Sequence, residues 1–217
     1  MKTPISDFLD EYGRKEMLRL HMPGHNGESP RDITEIEGAD SLYETEYSGG
    51  VIAQSEAIAA RIFGAERTCY SAGGSTLAIQ TALALLKSQG CRKIAAGRCS
   101  HRSLVSAAAL LDLDILWLYP KEYPTAAVDC SGQALEGADA LFLTNIDYYG
   151  GTCRAENPGI PVVCDNAHGA YLRFVSKAAF GRDYLHPMEF GYPVISAESA
   201  HKTLPALTGA AYLHFSK

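Results

Sequence analysis

The residues that could do chemistry cluster in type and spacing near the end of the chain. Ser199-Ala-His201-Lys202 carries a hydroxyl, an imidazole and an amine within four positions. An apolar run, Tyr192-Pro-Val-Ile, precedes it and reads as a buried strand. A second short strand, Ala210-Ala-Tyr-Leu-His-Phe, follows. Between two apolar segments the lysine reads as a buried amine. Burial disfavours its charged form, and a neutral amine is a nucleophile. The alternative is a surface lysine in a loop between two strands. Asp165-Asn-Ala167-His168-Gly-Ala follows a third apolar run, and Ser100-His101-Arg-Ser103 follows a fourth.

A different chemistry is written at residues 71–76, Ser-Ala-Gly-Gly-Ser-Thr, which precede a long apolar helix ending at Gly90. Free N–H groups at a helix start favour an anion. Gly73 and Gly74 let a ligand approach the backbone, and Ser75 and Thr76 can each donate a hydrogen bond. The alternative is a Ser/Thr cap with no ligand. The stretch is neither a Walker A loop nor a G-x-G-x-x-G fingerprint. His21 and His25 lie four apart, but Pro23-Gly24 between them breaks any helix, so they do not read as a metal pair.

These groups need a scaffold that brings them together. The pattern predicts helices over 1–20, 51–63 (with Gly64 as its C-cap), 77–90 and 103–112. It predicts strands at 93–96, 115–118, 138–144 and 160–164. The alternation of continuous apolar strands with helices predicts an α/β fold, three-layered α/β/α, with a mainly parallel sheet. Ligands in such folds bind beyond the carboxyl ends of the strands. His101, Asn145, Asp147, Asp165, His168, Ser199 and Lys202 all fall at predicted strand ends, which argues for one site.

Composition narrows the setting. The chain has 217 residues, 47% of them hydrophobic, and a net charge of −6. That suits one large globular domain. No Lys/Arg cluster offers a nucleic-acid footprint. No apolar run approaches the roughly 20 residues of a membrane helix. The N-terminus has no apolar signal core, so the expected location is the cytoplasm. The six cysteines show no C-x-x-C spacing and read as buried, reduced thiols. Glu35, Glu37, Asp40, Glu44 and Glu46 form an acidic stretch. It reads as a solvated loop or as a partner for a cationic substrate.

An anion-binding helix start, a strand-end aspartate, histidines and a lysine meet the needs of pyridoxal 5′-phosphate (PLP). Its phosphate needs the helix start, its pyridine nitrogen a carboxylate, and its aldehyde a lysine amine. The motifs Leu20-His-Met-Pro-Gly-His25, Gly74-Ser-Thr76, Ser100-His101-Arg-Ser, Asp165-Asn-Ala-His-Gly-Ala170 and Ser199-Ala-His-Lys-Thr-Leu-Pro-Ala-Leu span most of the chain. Together they resemble the bacterial ornithine/lysine/arginine decarboxylases, whose large domain has the aspartate-aminotransferase fold (fold type I).

The resemblance implies that Lys202 forms the Schiff base, Asp165 pairs with the pyridine nitrogen and His101 stacks on the ring. It implies that Gly74, Ser75, Thr76, Ser199 and His201 hold the phosphate. His168 would lie near the ring hydroxyl and Ala167 against the ring's other face. It further implies an amino-acid substrate and at least a homodimer. Residues 1–50 would form an N-terminal helix and active-site loop, and 51–217 the PLP-binding large domain. Members continue into a smaller C-terminal domain, which is expected to be absent here, since the chain stops about fifteen residues past Lys202. Asn166 stands where an acidic residue is expected after Asp165. The leading expectation is a decarboxylase of lysine, ornithine or arginine. The alternatives are another PLP-dependent lyase or aminotransferase, and an inactive PLP-binding or assembly domain.

Overall fold

The structure is a computed structural model that describes residues 1–14, 50–120, 128, 130, 132–153, 156–175 and 184–217. The His21–His25 loop and the acidic residues 35–46 lie outside the described residues. The chain divides into two compact units, Met1–Ile62 and Phe63–Lys217.

In the first unit, helix α1 (Pro4–Arg14) opens with Thr3 and Asp7 paired: the Thr3 hydroxyl donates to Asp7 Oδ1 at 2.8 Å and its amide to Oδ2 at 3.2 Å. A side-chain acceptor there satisfies a donor that the helix leaves free. Phe8 and Tyr12, four apart, stack at 5.7 Å on one face. Helix α2 runs Val51–Phe63, as its apolar spacing predicts, and Gly64 follows with φ of 76°. That left-handed conformation ends the helix at no cost in Cβ crowding.

The second unit is built on seven strands: β1 (Arg67–Ser71), β2 (Lys93–Gly97), β3 (Asp114–Leu118), β4 (Ala140–Thr144), β5 (Val162–Asp165), β6 (Ile195–Ser199) and β7 (Ala211–Phe215). Their order is β1-β7-β6-β5-β4-β2-β3. The block β3-β2-β4-β5-β6 is parallel; β7 is antiparallel to both β6 and β1. The sheet is thus mainly parallel, with an antiparallel margin that the alternating pattern did not specify. Strand β2 lies between β3 and β4, so the winding reverses there. Such a reversal opens a crevice at the carboxyl ends of the flanking strands.

Helix α3 (Gly74–Ser88) joins β1 to β2 and α4 (Arg102–Leu111) joins β2 to β3. Ile79, Leu83 and Leu104 from these helices pack with Phe142 and Val163 from one sheet face. Leu141, Leu143 and Cys164 point to the other face, against Tyr192 and Val194. This is the two-residue alternation of a strand buried on both sides. Each such side chain contributes about 1.5–3 kcal/mol by leaving water.

Two boundaries differ from the expected ones. The sequence predicts a strand at Tyr192–Ile195, but β6 begins at Ile195 and runs through Ser199. Parallel pairing with Val163–Asp165 carries the ladder into residues that read as polar loop. The helix expected from residue 77 begins at Gly74, so the glycine–hydroxyl turn is its first turn. None of the six cysteines is in a disulfide; Cys91, Cys130, Cys153 and Cys164 are buried, whereas Cys69 and Cys99 are partly exposed.

Candidate active site

The site is assembled from strand ends. The first turn of α3 supplies one wall. Its cap is Gly73, which offers no side-chain oxygen to the first helical amides. Gly74 sits at φ of 68°, where a β-carbon is disfavoured, and its amide donates to Gly209 at 2.8 Å. Ser199, at the end of β6, donates its hydroxyl to Ser75 Oγ at 2.8 Å. Strand order therefore brings Gly74, Ser75 and Ser199 together from 124 residues apart. Thr76 is exposed on the same first turn.

Asp165 is the last residue of β5 and is 4% exposed. Its Oδ1 accepts the Ala167 amide at 3.0 Å, which folds the chain back beneath it. Burial pushes its carboxyl above the ordinary value; the Ala167 bond and the charges of His101, Lys202 and His168 oppose that. Those three side chains come from three different strand ends, and the charge of each reaches Asp165. Ala167 is buried beside it.

Lys202 lies on the single helical turn α5 (Ala200–Thr203). Its Nζ donates to His168 Nε2 at 3.2 Å. The expectation of a buried lysine is not met: Lys202 is exposed. The apolar run after it goes into β7, whereas only Ile195 of the run before it enters β6, and the turn between β6 and β7 lifts the amine to the site's open side. His168 is half-buried, and its imidazole titrates below the ordinary range through burial and then through the Lys202 charge. A neutral His168 accepts at Nε2. Tyr148 meets its ring edge-on at 5.8 Å.

His101 caps α4: its Nδ1 accepts from the Ser103 amide at 3.2 Å and lies 2.9 Å from the Ser103 hydroxyl. With Nδ1 accepting, the ring proton sits on Nε2. The residue is exposed, so a ring face is open to a ligand. His201 is occupied differently. Its Nδ1 lies 3.2 Å from the Ala210 carbonyl and donates to it, tying α5 to the approach of β7. Asp147 closes a turn by accepting from the Tyr149 and Gly151 amides, each at 2.8 Å.

Sequence reasoning missed what lies under this floor. Glu198, on β6, is fully buried with His186, His214, Asn166 and Ser196 around it. The available signal was a lone acid between the apolar run Tyr192–Ile195 and Ser199; His186 and His214 are distant in sequence and gave none.

No protein-family model matches the chain. It is 29% identical to the Bacillus subtilis protein named "Uncharacterized protein YaaO", across 99% of this chain and 49% of that protein. It is 26% identical to the arginine decarboxylase of Bacillus anthracis, across 98% of this chain and 48% of that one. The chain spans about half the length of the curated relatives it matches. The constitutive lysine decarboxylase of E. coli superposes with a TM-score of 0.70 at 19% identity, covering 100% of this chain and 36% of that structure. That likeness identifies an α/β fold-type-I domain. Taken together, the alignment along nearly the whole chain and the shared fold make this protein similar to bacterial arginine and lysine decarboxylases.

Proposed function

We propose that the chain carries the cofactor-binding core of a PLP-dependent decarboxylase acting on a basic amino acid. The observation that carries this reading is the convergence of Lys202, His168 and His101 on buried Asp165, beside a glycine-capped helix start. The names of the relatives, arginine and lysine decarboxylases, support a basic substrate.

The residues fit the group. Ser75 and Thr76 would hold a phosphate on first-turn amides and hydroxyls and Ser199 on its hydroxyl, with Gly74 giving the ligand room at the backbone, where the helix dipole favours an anion. Asp165 would hold a protonated ring nitrogen, because a buried carboxylate is stabilised by a facing cation. His101 would cover one ring face and Ala167, too small to obstruct, the other. Bound there, PLP would draw electrons from the substrate's α-carbon and so let the carboxylate leave. The Lys202 amine must lose a proton before it can bond to carbon. His168, neutral and 3.2 Å away, stands to take that proton at Nε2 and to return it. The open position of Lys202 leaves its amine accessible to cofactor and substrate.

PLP added to the purified chain should give a visible absorbance band that borohydride traps on Lys202, seen by peptide mass. Lys202→Ala should abolish the trapped adduct and leave the melting temperature unchanged, since the side chain is exposed. Incubation with arginine, lysine and ornithine should release CO2 and the matching amine from one of them. A Lys202→Ala protein that still yields a reducible adduct removes Lys202 from this role, and product without CO2 replaces decarboxylation with another PLP chemistry.

A further inference from the structure

Glu198 is a carboxylate with no access to water, set one residue before Ser199. Its Oε1 accepts from Asn166 Nδ2 at 2.9 Å and from the Ser196 hydroxyl at 3.0 Å. His186 Nε2 approaches Oε1 at 2.9 Å and His214 Nε2 approaches Oε2 at 3.5 Å. A buried carboxylate persists only when paired and hydrogen-bonded. Here burial alone would raise its titration; His186 and His214 outweigh that and hold it well below the ordinary carboxylate range.

The network reaches the site through Asn166. This residue directly follows Asp165 and is itself fully buried. Its Oδ1 accepts from Asn145 Nδ2 at 2.8 Å, and Asn145 also donates to the Leu185 carbonyl at 3.0 Å. The Asn166 backbone closes the turn below Asp165: its carbonyl accepts the Gly169 amide at 2.9 Å, and its amide donates to Ala197 at 2.9 Å. One carboxylate on β6 thus clamps the carboxyl ends of β4 and β5, the edge that presents Asp165 and, on β6 itself, Ser199.

We propose that Glu198 is a positioning residue of the site: its buried negative charge fixes Asn166, and through it the Asp165–Gly169 turn, from beneath. The carboxylate expected at position 166 is present, but it comes from the neighbouring strand. Its link to cofactor binding rests on the reading given under Proposed function; its effect on the turn does not.

Two variants test this in the purified full chain. Glu198→Gln keeps the shape and an acceptor but removes the charge. The double variant N166D/E198Q exchanges acid and amide between the two strands, with every bond of the Asn145–166–198 chain still able to form. Amide hydrogen exchange at Ala167 and Gly169, without cofactor, reads the turn; PLP titration by absorbance reads the site. Glu198→Gln should speed exchange at both amides by about tenfold or more and weaken PLP binding by about tenfold, a common effect of losing a group that orients a ligand's partner. The double variant should recover both to within about threefold of the wild type, while circular dichroism shows all three proteins folded. Unchanged exchange in Glu198→Gln overturns the proposal. So does a double variant that fails to recover exchange, because charge in the network would then not be what matters. A wild-type chain that binds no PLP defeats the functional reading, and the exchange comparison still decides the role of Glu198.

Discussion

Ser199 Oγ lies 2.8 Å from Ser75 Oγ, a bond that joins the end of β6 to the first turn of α3. It registers the cradle against the strand that leads into Lys202. Hydroxyls placed so can turn together toward an anion, each trading its bond with the other for one to the ligand.

Ser199→Ala should therefore weaken PLP binding about tenfold, equivalent to ~1.4 kcal/mol, the loss of one bond to a charged acceptor. Stability of the cofactor-free chain should change by less than about 1 kcal/mol, since a single neutral bond is lost. Fluorescence titration of PLP and denaturant melts separate the two effects. Equal losses in both would make the pair structural.

Asp165→Asn should move the two quantities in opposite directions. Burial raises this carboxyl in the folded chain. The folded state then holds the proton more tightly than the unfolded state. Stability is greatest below the unfolded value and falls as pH rises toward the folded one. At neutral pH the cofactor-free protein carries this cost. Asparagine keeps an acceptor for the Ala167 amide without the charge. The variant should melt higher than the wild type at pH 7, with the gain shrinking in acid, and should bind PLP more weakly. Thermal melts between pH 3 and pH 7 check the sign.

Two glycines should fail for different reasons. A β-carbon at Gly169 would collide with the Asn166 carboxamide. Gly169→Ala should cost about 1–3 kcal/mol, as overpacking does, and should disturb the turn under Asp165. At Gly74 there is open space around a β-carbon, but φ is 68°. Gly74→Ala should cost only the left-handed strain, roughly 1–2 kcal/mol. Urea melts give both values, and PLP affinity should fall further for whichever variant moves the site.

Much of this was legible in the residues themselves. Strand ends are marked by where apolar runs stop, so Asp165 declares its place, whereas β6 runs on to Ser199 through residues that read as polar loop. Gly73-Gly74-Ser75-Thr76 ahead of a long apolar helix reads either as an anion cradle or as a Ser/Thr cap; only the fold starts the helix at Gly74 and makes Gly73 its cap. Periodicity alone specified α2 and the helices that cover the sheet. The antiparallel margin was not legible, since a continuous apolar run looks the same in either strand direction. Nor was the exposure of Lys202. Local hydrophobicity reports which strands are buried, not where the turn between β6 and β7 lifts a side chain. Glu198 is the clearest case. As a lone acid in a strand it had no partner in view. His186 and His214 reach it from distant segments, and only tertiary packing, which makes an unpaired buried charge prohibitive, decided that the three must meet.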